Sequence, residues 1–225
     1  MDEGRSSGFR GALAPVDNLL EDDRRLREGA LAYRTAVVTE RYLSLGVSQP
    51  RDAPAALRAR SRGLPVLGRS SGGTGVLQLP GDIAWAVVLP RDHPLVGRTY
   101  PRAFGRLGAP LVDVLAGAGL ATEWRPSPDL SPELCLLGSR GEALFAGDTV
   151  IGGAAQHLTG TALLHHGVLN LGIDRRLLTD LFQLDPGAAA RVAGIRELGV
   201  RDPSEVLARR LAVALRDLLA RARPP

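Results

Sequence analysis

Three stretches of this 225-residue chain carry side chains whose types and spacing could do chemistry. They are the glycine-rich segment 68–75 (GRSSGGTG), the single cysteine Cys135, and the histidine pair His165 and His166. Backbone amides of a glycine-rich loop can approach a phosphate or an acyl carbonyl closely. A cysteine thiolate can attack a carbonyl and hold an acyl group, and a histidine can remove its proton.

Each stretch also has a purely structural interpretation. Segment 68–75 lacks the Gly-Lys-Ser/Thr of a P-loop and the spaced glycines of a dinucleotide site, so it fits a tight turn as well as a ligand loop. Cys135 lies in the apolar run ELCLL, which predicts a strand in which a lone cysteine packs as a small hydrophobe.

The adjacent histidines are predicted to point to opposite faces of a strand. One can then face a pocket while the other packs or meets solvent. They cannot both bind one metal ion, and with one cysteine and four histidines in the chain no zinc site is expected.

The elements that must position these groups alternate between helix and strand. Hydrophobic spacing predicts an amphipathic helix over 17–32, strands over 33–45 and 83–89, a helix over 101–120, and two or three strands from the loop 125–132 to residue 174. Segment 50–63 is read as a short helix or loop, and the chain is mostly helical from Arg175. For the last helix, Asp202 is the predicted N-cap, Pro203 the first helical residue and Glu205 the third.

Composition limits the class of protein. With 44% hydrophobic and 23% charged residues the chain is typical of a soluble globular protein, and it has no apolar run of the ~20 residues that span a bilayer. The acidic N-terminus does not read as a secretion signal, and a single cysteine cannot form an intrachain disulfide, so a cytoplasmic location is expected.

All 28 basic residues are arginine, since the chain contains no lysine, and the net charge is +4. This balance favours an acidic partner. The arginines are scattered and aromatic residues make up only 4%, so no nucleic-acid partner is expected.

Four motifs, in order along the chain, resemble those of the lipoate-protein ligase and octanoyl transferase superfamily, which is related to biotin-protein ligases. Segment 42–49 (YLSLGVSQ) is similar to S-L-G-x-x-Q, and 69–76 (RSSGGTGV) to R-x-S/T-G-G-x-A-V. Segment 150–156 (VIGGAAQ) is similar to K-I/V-x-G-x-A-Q, and 165–174 to H-H-G-x-L followed by L-x-x-D. The resemblance covers about residues 17–215, with 1–16 as an N-terminal extension and 17–225 as the catalytic domain.

The resemblance implies a single α/β domain with a mixed sheet flanked by helices, which holds an acyl chain in a tunnel. It implies catalytic roles for Cys135 and His166. The substrate-binding residues that it implies are Arg69, Ser70, Ser71, Gly72, Gly73, Thr74, Gly75, Val150, Gly153, Gln156, His165 and Gly167. The implied activity attaches an octanoyl or lipoyl group to a lysine of an acidic lipoyl domain or H protein.

Two branches of the superfamily differ in chemistry. Transferases take the acyl group from acyl carrier protein through an enzyme cysteine and need no cofactor, whereas ligases activate free lipoate with ATP and magnesium. Cys135 precedes Gln156 at the spacing that resembles the cysteine transferases, and the R-N-D of many ligases is missing, so the transferase is preferred.

The chain departs from the family at the lysine that orients the acyl carbonyl. That position is Val150 here. Loss of one such electrostatic donor typically costs ~10²–10³ in rate. A non-catalytic relative that binds an acyl group or a carrier is therefore a third hypothesis, beside the transferase and the ligase.

Overall fold

The computed structural model describes residues 8–96, 100–138 and 142–222. The strands are β1 (Phe9–Leu13), β2 (Ala32–Val38), β3 (Tyr42–Leu45), β4 (Val66–Gly68), β5 (Val76–Gln78), β6 (Ile83–Pro90), β7 (Glu123–Pro126), β8 (Glu142–Ala146), β9 (Thr149–Leu158) and β10 (Ala162–Leu169). The helices are α1 (Pro15–Glu28), α2 (Pro54–Ser61), α3 (Tyr100–Gly117), α4 (Arg175–Phe182), α5 (Pro186–Ala190) and α6 (Ser204–Arg221), with a 3₁₀ turn at Cys135–Leu137.

The strands form two sheets. The larger has the order β1-β2-β6-β10-β9-β8-β7, in which β1 and β2 are parallel and the other neighbours are antiparallel. The smaller has the order β4-β3-β5. The predicted α/β domain with a mixed sheet and flanking helices is confirmed. Part of the predicted extension 1–16 forms β1, while residues 1–7 lie outside the described part of the chain.

Both faces of the large sheet are covered, which explains the unbroken apolar run of β6. Ile83, Trp85 and Val87 pack with α3 and α6 on one face. Ala86 and Val88 pack under α1 on the other. Among the described residues, no helix combines the length and apolarity needed to cross a membrane.

The predicted strand 33–45 is wrong as one element. The chain leaves the large sheet after Val38, passes the exposed Glu40 and Arg41, and enters the smaller sheet as β3. Apolar residues lie on both sides of this crossing, so periodicity alone does not reveal it. The split places β3 above the large sheet and opens a space between the two sheets.

Two predicted helix boundaries are also corrected. The first helix ends at Glu28 because Gly29 adopts φ 65° and its N–H donates to the Arg25 carbonyl. The last helix begins at Ser204 with Pro203, not Asp202, as its N-cap residue. The Asp202 carboxylate instead accepts a hydrogen bond from Arg210 at 2.6 Å, and the two side chains form an ion pair at the surface.

The end of β3 crosses the glycine-rich segment in direct backbone contact. A Cβ atom at Gly46 would lie 2.0 Å from the Gly73 carbonyl oxygen, so only glycine fits at this crossing. The Gln49 side chain accepts from the Gly46 N–H at 3.4 Å. This geometry explains the S-L-G-x-x-Q spacing.

We predict that Gly46→Ala lowers the free energy of unfolding by at least about 2 kcal/mol, because the added methyl group forces the two backbones apart. Urea denaturation measures the loss. The matched control is Gly105→Ala, at an exposed position in α3 where a Cβ meets nothing within 4 Å. It should stabilise by about 0.5–1 kcal/mol. Equal effects of the two substitutions would contradict the crossing.

Candidate active site

A cleft runs between the large sheet, the smaller sheet, α1 and the 3₁₀ turn. It contains about 660 Å³ of empty space, including its open mouth. Its lining includes Ala84, Gly153, Ala155, His166 and Val168 from the large sheet, Tyr42, Ser44, Val76 and Gln78 from the smaller sheet, Asn18, Leu19 and Asp22 from α1, and Arg34, Arg69, Cys135 and Leu136. The small residues of β9 leave room above the strand for a slender ligand.

Arg69 organises the glycine-rich segment. Its guanidinium donates to the carbonyls of Gly72 and Thr74 at 2.8 Å, to the Ser44 carbonyl at 3.2 Å and to the Ser71 hydroxyl at 3.1 Å. The residue is buried, and this burial lowers the pKa of the guanidinium. The segment therefore folds around a buried cation, with its carbonyls turned inward.

Cys135 is brought to the same place by backbone pairing. Its N–H donates to the Gly75 carbonyl and the Gly75 N–H donates to the Glu133 carbonyl, both at 2.8 Å. The pairing ends there and the chain turns, so the predicted strand at Cys135 is wrong and a 3₁₀ turn forms instead. The Cys135 Sγ atom lies 4.0 Å from Arg69 Nη2.

Gly73 permits this approach. Its φ of +87° is a conformation that glycine adopts readily, and a Cβ atom there would lie 2.6 Å from Cys135 Sγ and 2.9 Å from Arg69 Nη2. The glycine signature thus clears space around a thiol and a guanidinium. Arg69, Cys135 and Gly153 all line the cleft, whereas Gly72 and Gly75 are not among the described residues that do so.

His166 anchors a buried chain of hydrogen bonds. Its Nδ1 lies 2.8 Å from Asp22 Oδ2, and its Nε2 lies 2.6 Å from Ser71 Oγ. Arg34 donates to Asp22 Oδ1 at 2.7 Å and to Asn18 Oδ1 at 2.9 Å. Because Arg69 donates to Ser71, the network assigns the Ser71 hydroxyl as donor to Nε2, with Nδ1–H donating to Asp22.

This order of serine, histidine and aspartate matches that of nucleophilic triads. Ser71 is, however, wholly buried and is not one of the described residues that line the cleft. A substrate carbonyl in the cleft therefore has no path to its hydroxyl. These hydrogen bonds connect the glycine-rich segment to the large sheet through His166 and to α1 through Asp22.

His165 points to the opposite face, as the strand period predicts. It is wholly buried, with the rings of Trp85 and Phe104 at 4.7 and 4.8 Å between centroids, and Gln156 Nε2 lies 3.1 Å from its Nδ1. Burial, and then the neighbouring His166, lower the pKa of His165 to about 3, so it is neutral. Both His165 and Gln156 face away from the cleft.

Val150 lies in an apolar cluster with Leu134, Leu136 and Phe145 and is wholly buried. Its backbone pairs with the segment after α5, through Arg191 and Ala193. It is not among the described residues that line the cleft, whereas Gly167 is.

The sequence analysis missed the polar end of the cleft, formed by Asn18, Asp22, Arg34, Tyr42, Ser44 and Gln78. One signal was available. Asn18, Asp22 and Leu26 are four residues apart and share one helix face, so two polar residues fall on the side that buries a leucine. Across the described ranges, no group of three or more His, Cys, Asp and Glu residues is placed to hold a metal ion.

The sequence model of the lipoyl protein ligase A/B catalytic domain matches residues 23–215. The chain belongs to this family. The resemblance drawn from the motifs is thereby confirmed, and membership supports a role in lipoyl transfer or ligation. No curated protein is similar enough in sequence to count as a relative.

Solved structures of lipoate-protein ligases share the fold. Lipoate-protein ligase A bound with ATP is 20% identical, with a TM-score of 0.75 over 95% of this chain and 86% of that one. A putative lipoate protein ligase from T. acidophilum with bound lipoic acid is 20% identical, with a TM-score of 0.73 over 95% and 86%. A bi-partite lipoate protein ligase studied with its E2 lipoyl domain, from Thermoplasma acidophilum, is 18% identical, with a TM-score of 0.70 over 95% and 84%.

We predict that Arg34→Met lowers the free energy of unfolding by about 3–5 kcal/mol, because it leaves the buried Asp22 carboxylate without its cation. The matched control is Arg210→Met, which removes one partner of the surface pair with Asp202 and should cost less than about 1 kcal/mol. Chemical denaturation of both variants measures the difference. Similar losses would show that the Asp22 network contributes no more than a surface pair.

Proposed function

We propose that this member of the lipoyl protein ligase family is an acyltransferase, which moves an octanoyl or lipoyl group through a thioester on Cys135 to a lysine of an acidic carrier domain. The observation that carries the proposal is the Cys135 thiol, which lines the cleft 4.0 Å from the guanidinium of Arg69. A fixed cation beside the reacting atoms stabilises the negative charge that develops during acyl transfer.

Arg69 is suited to this role because of what it does not bind. Within the described residues it donates to carbonyls, hydroxyls and the Cys135 sulfur, and no carboxylate pairs with it. Arg34, in contrast, is neutralised by Asp22 at 2.6 Å. The charge of Arg69 is therefore left to act on the sulfur and on an acyl oxygen beside it.

The reaction takes two steps. The Cys135 sulfur attacks the thioester carbonyl of the donor, a new carbon–sulfur bond forms, and the donor thiol leaves with the proton that the cysteine loses. The lysine amine of the carrier then attacks the acyl-cysteine, the amide forms, and the Cys135 thiol is restored with a proton from that amine. Arg69 stabilises the negative charge that develops in both steps.

In this proposal the cation beside the sulfur is Arg69 of the glycine-rich segment. The family lysine would stand at position 150, which is Val150 here. Val150 is buried among apolar side chains, and the chain has no lysine to place there or elsewhere. Arg69 lines the cleft and lies 4.0 Å from the sulfur, whereas Val150 is not among the described lining residues. We assign the electrostatic role of the lysine to this guanidinium, and a wall-forming role to His166, whose two ring nitrogens are already engaged.

The dimensions of the cleft support an acyl ligand. Its lining runs from Glu142 on β8 to Arg34 on β2, four strand spacings apart, or ~19 Å. An extended eight-carbon chain is about 10 Å long, given bonds of about 1.5 Å. The cleft is therefore long enough for such a chain, and Cys135 is among its lining residues.

An acidic carrier is the proposed partner, because the net charge of the chain is +4 and rests on arginine alone. The bi-partite T. acidophilum ligase was studied with its E2 lipoyl domain, so a lipoyl domain is the class of carrier that we propose. Attraction of this kind accelerates association and weakens as salt screens the charges.

We predict that incubation with octanoyl-acyl carrier protein adds one octanoyl mass to the protein, detected by intact-mass spectrometry. Hydroxylamine should remove it, because the bond is a thioester. Cys135→Ala should carry no adduct, and its unchanged melting temperature would show that the fold persists. An absent adduct on the native chain, or the same adduct on Cys135→Ala, would disprove the thioester route.

One observation favours the ATP-dependent ligase as a second candidate. The hydroxyls of Ser70 and Thr74 are buried in the glycine-rich segment without a hydrogen-bond partner in the described structure. Hydroxyls in such a loop suit a phosphate group, and ATP would supply the activation of a free carboxylate. A fold shared with an ATP-bound ligase is consistent with this candidate.

The two candidates differ in a simple assay. With lipoate, ATP and magnesium, and a purified lipoyl domain, the ligase releases pyrophosphate and modifies the domain, and Cys135→Ala does so at the native rate. The transferase that we propose releases no pyrophosphate and modifies the domain only from an acyl thioester. Pyrophosphate release that survives Cys135→Ala would replace our proposal by the ligase.

A further inference from the structure

The inner end of the cleft, where α1 meets the smaller sheet, is polar. An octanoyl chain ends in a methyl group, which prefers an apolar wall. Two amide side chains at this end, Asn18 and Gln78, instead present polar atoms that have no partner within the described structure.

The orientation of Asn18 is fixed by its neighbour. Asn18 is 1% exposed, and its Oδ1 accepts a hydrogen bond from Arg34 Nη1 at 2.9 Å. The amide nitrogen Nδ2 must therefore occupy the other position, where no described residue accepts its hydrogens. It is a buried donor without an acceptor.

Gln78 supplies the complementary group. It is 8% exposed, and its Oε1 accepts no hydrogen bond from any residue that the structure describes. Gln78 pairs with Tyr42 across the smaller sheet, and Tyr42 packs with Leu19, the residue after Asn18. The unpaired donor and the unpaired acceptor therefore lie at the same end of the cleft.

A plain alkyl end would cover both groups and leave them unpaired, which is unfavourable in a buried site. A hydroxyl group both donates and accepts, so it can accept from Asn18 Nδ2 and donate to Gln78 Oε1. Resting on the proposed function, we propose that the cleft selects a medium-chain acyl group that carries a hydroxyl at its far end.

The test compares two ligands that differ by one oxygen, octanoate and 8-hydroxyoctanoate, by isothermal titration of the full chain. We expect the hydroxy acid to bind about tenfold more tightly, the effect of two modest hydrogen bonds. Titration of free acids does not depend on Cys135 chemistry, so it is read separately from the acylation assay.

Two variants remove one partner each. Gln78→Met keeps the shape of the side chain and removes the acceptor, and Asn18→Leu keeps the size of the side chain and removes the donor. Each should bring the affinity ratio of the two acids to within about threefold. The matched control is Gln183→Asn, an exposed glutamine at φ 50°, a conformation that asparagine tolerates, and its ratio should match that of the native chain.

The outcomes separate the two proposals. If octanoate binds as tightly as 8-hydroxyoctanoate, or more tightly, the selection of a hydroxyl is overturned while acylation of Cys135 can still stand. A tenfold preference that Gln78→Met and Asn18→Leu both retain would also overturn it. If neither acid binds and no adduct forms on Cys135, the proposed acyl-binding function is wrong, and so is this inference.

Discussion

The rest of the site depends on the hydrogen bonds and the ion pair that the buried carboxylate of Asp22 forms. This carboxylate lies on the buried face of α1, pairs with Arg34 on β2 and accepts from His166 on β10. Through His166 it also reaches Ser71 in the glycine-rich segment. Parts of the chain that are far apart in sequence are thus fixed to one charge, and a buried charge holds its partners strongly because losing one leaves it uncompensated.

The two buried arginines have different roles because their partners differ. The charge of Arg34 is neutralised by Asp22, so Arg34 contributes to the stability of the fold. Arg69 is surrounded by carbonyl oxygens, which satisfy its donors without cancelling its charge. A site that lacks lysine can retain a cation beside its thiol in this way, since arginine stays charged even where burial lowers its pKa.

The motifs and strand periods predicted much of this arrangement. The order of the glycine signature, the cysteine and the paired histidines led to the right fold, and a period of two placed His165 and His166 on opposite faces. The break after Val38 and the turn at Cys135 were missed, because each depends on pairing with a distant segment and not on local composition. Arg34 was missed for the same reason, since it meets Asn18 and Asp22 only through a tertiary contact between a helix and a strand, whereas the spacing of Asn18 and Asp22 on one helix face was a local signal.

The contact between Gly46 and Gly73 also bears on how a ligand gets in. Beside this contact the Arg69 N–H donates to the Leu45 carbonyl at 2.8 Å and the Val47 N–H donates to the Ser71 carbonyl at 2.9 Å, so the glycine-rich segment moves away from the cleft only together with the end of β3. The glycine-rich segment and the end of β3 therefore move as one rigid unit and not as a hinged flap. The acyl chain of the proposed function would then enter through the open mouth of the cleft, end first, and not under a lifted loop.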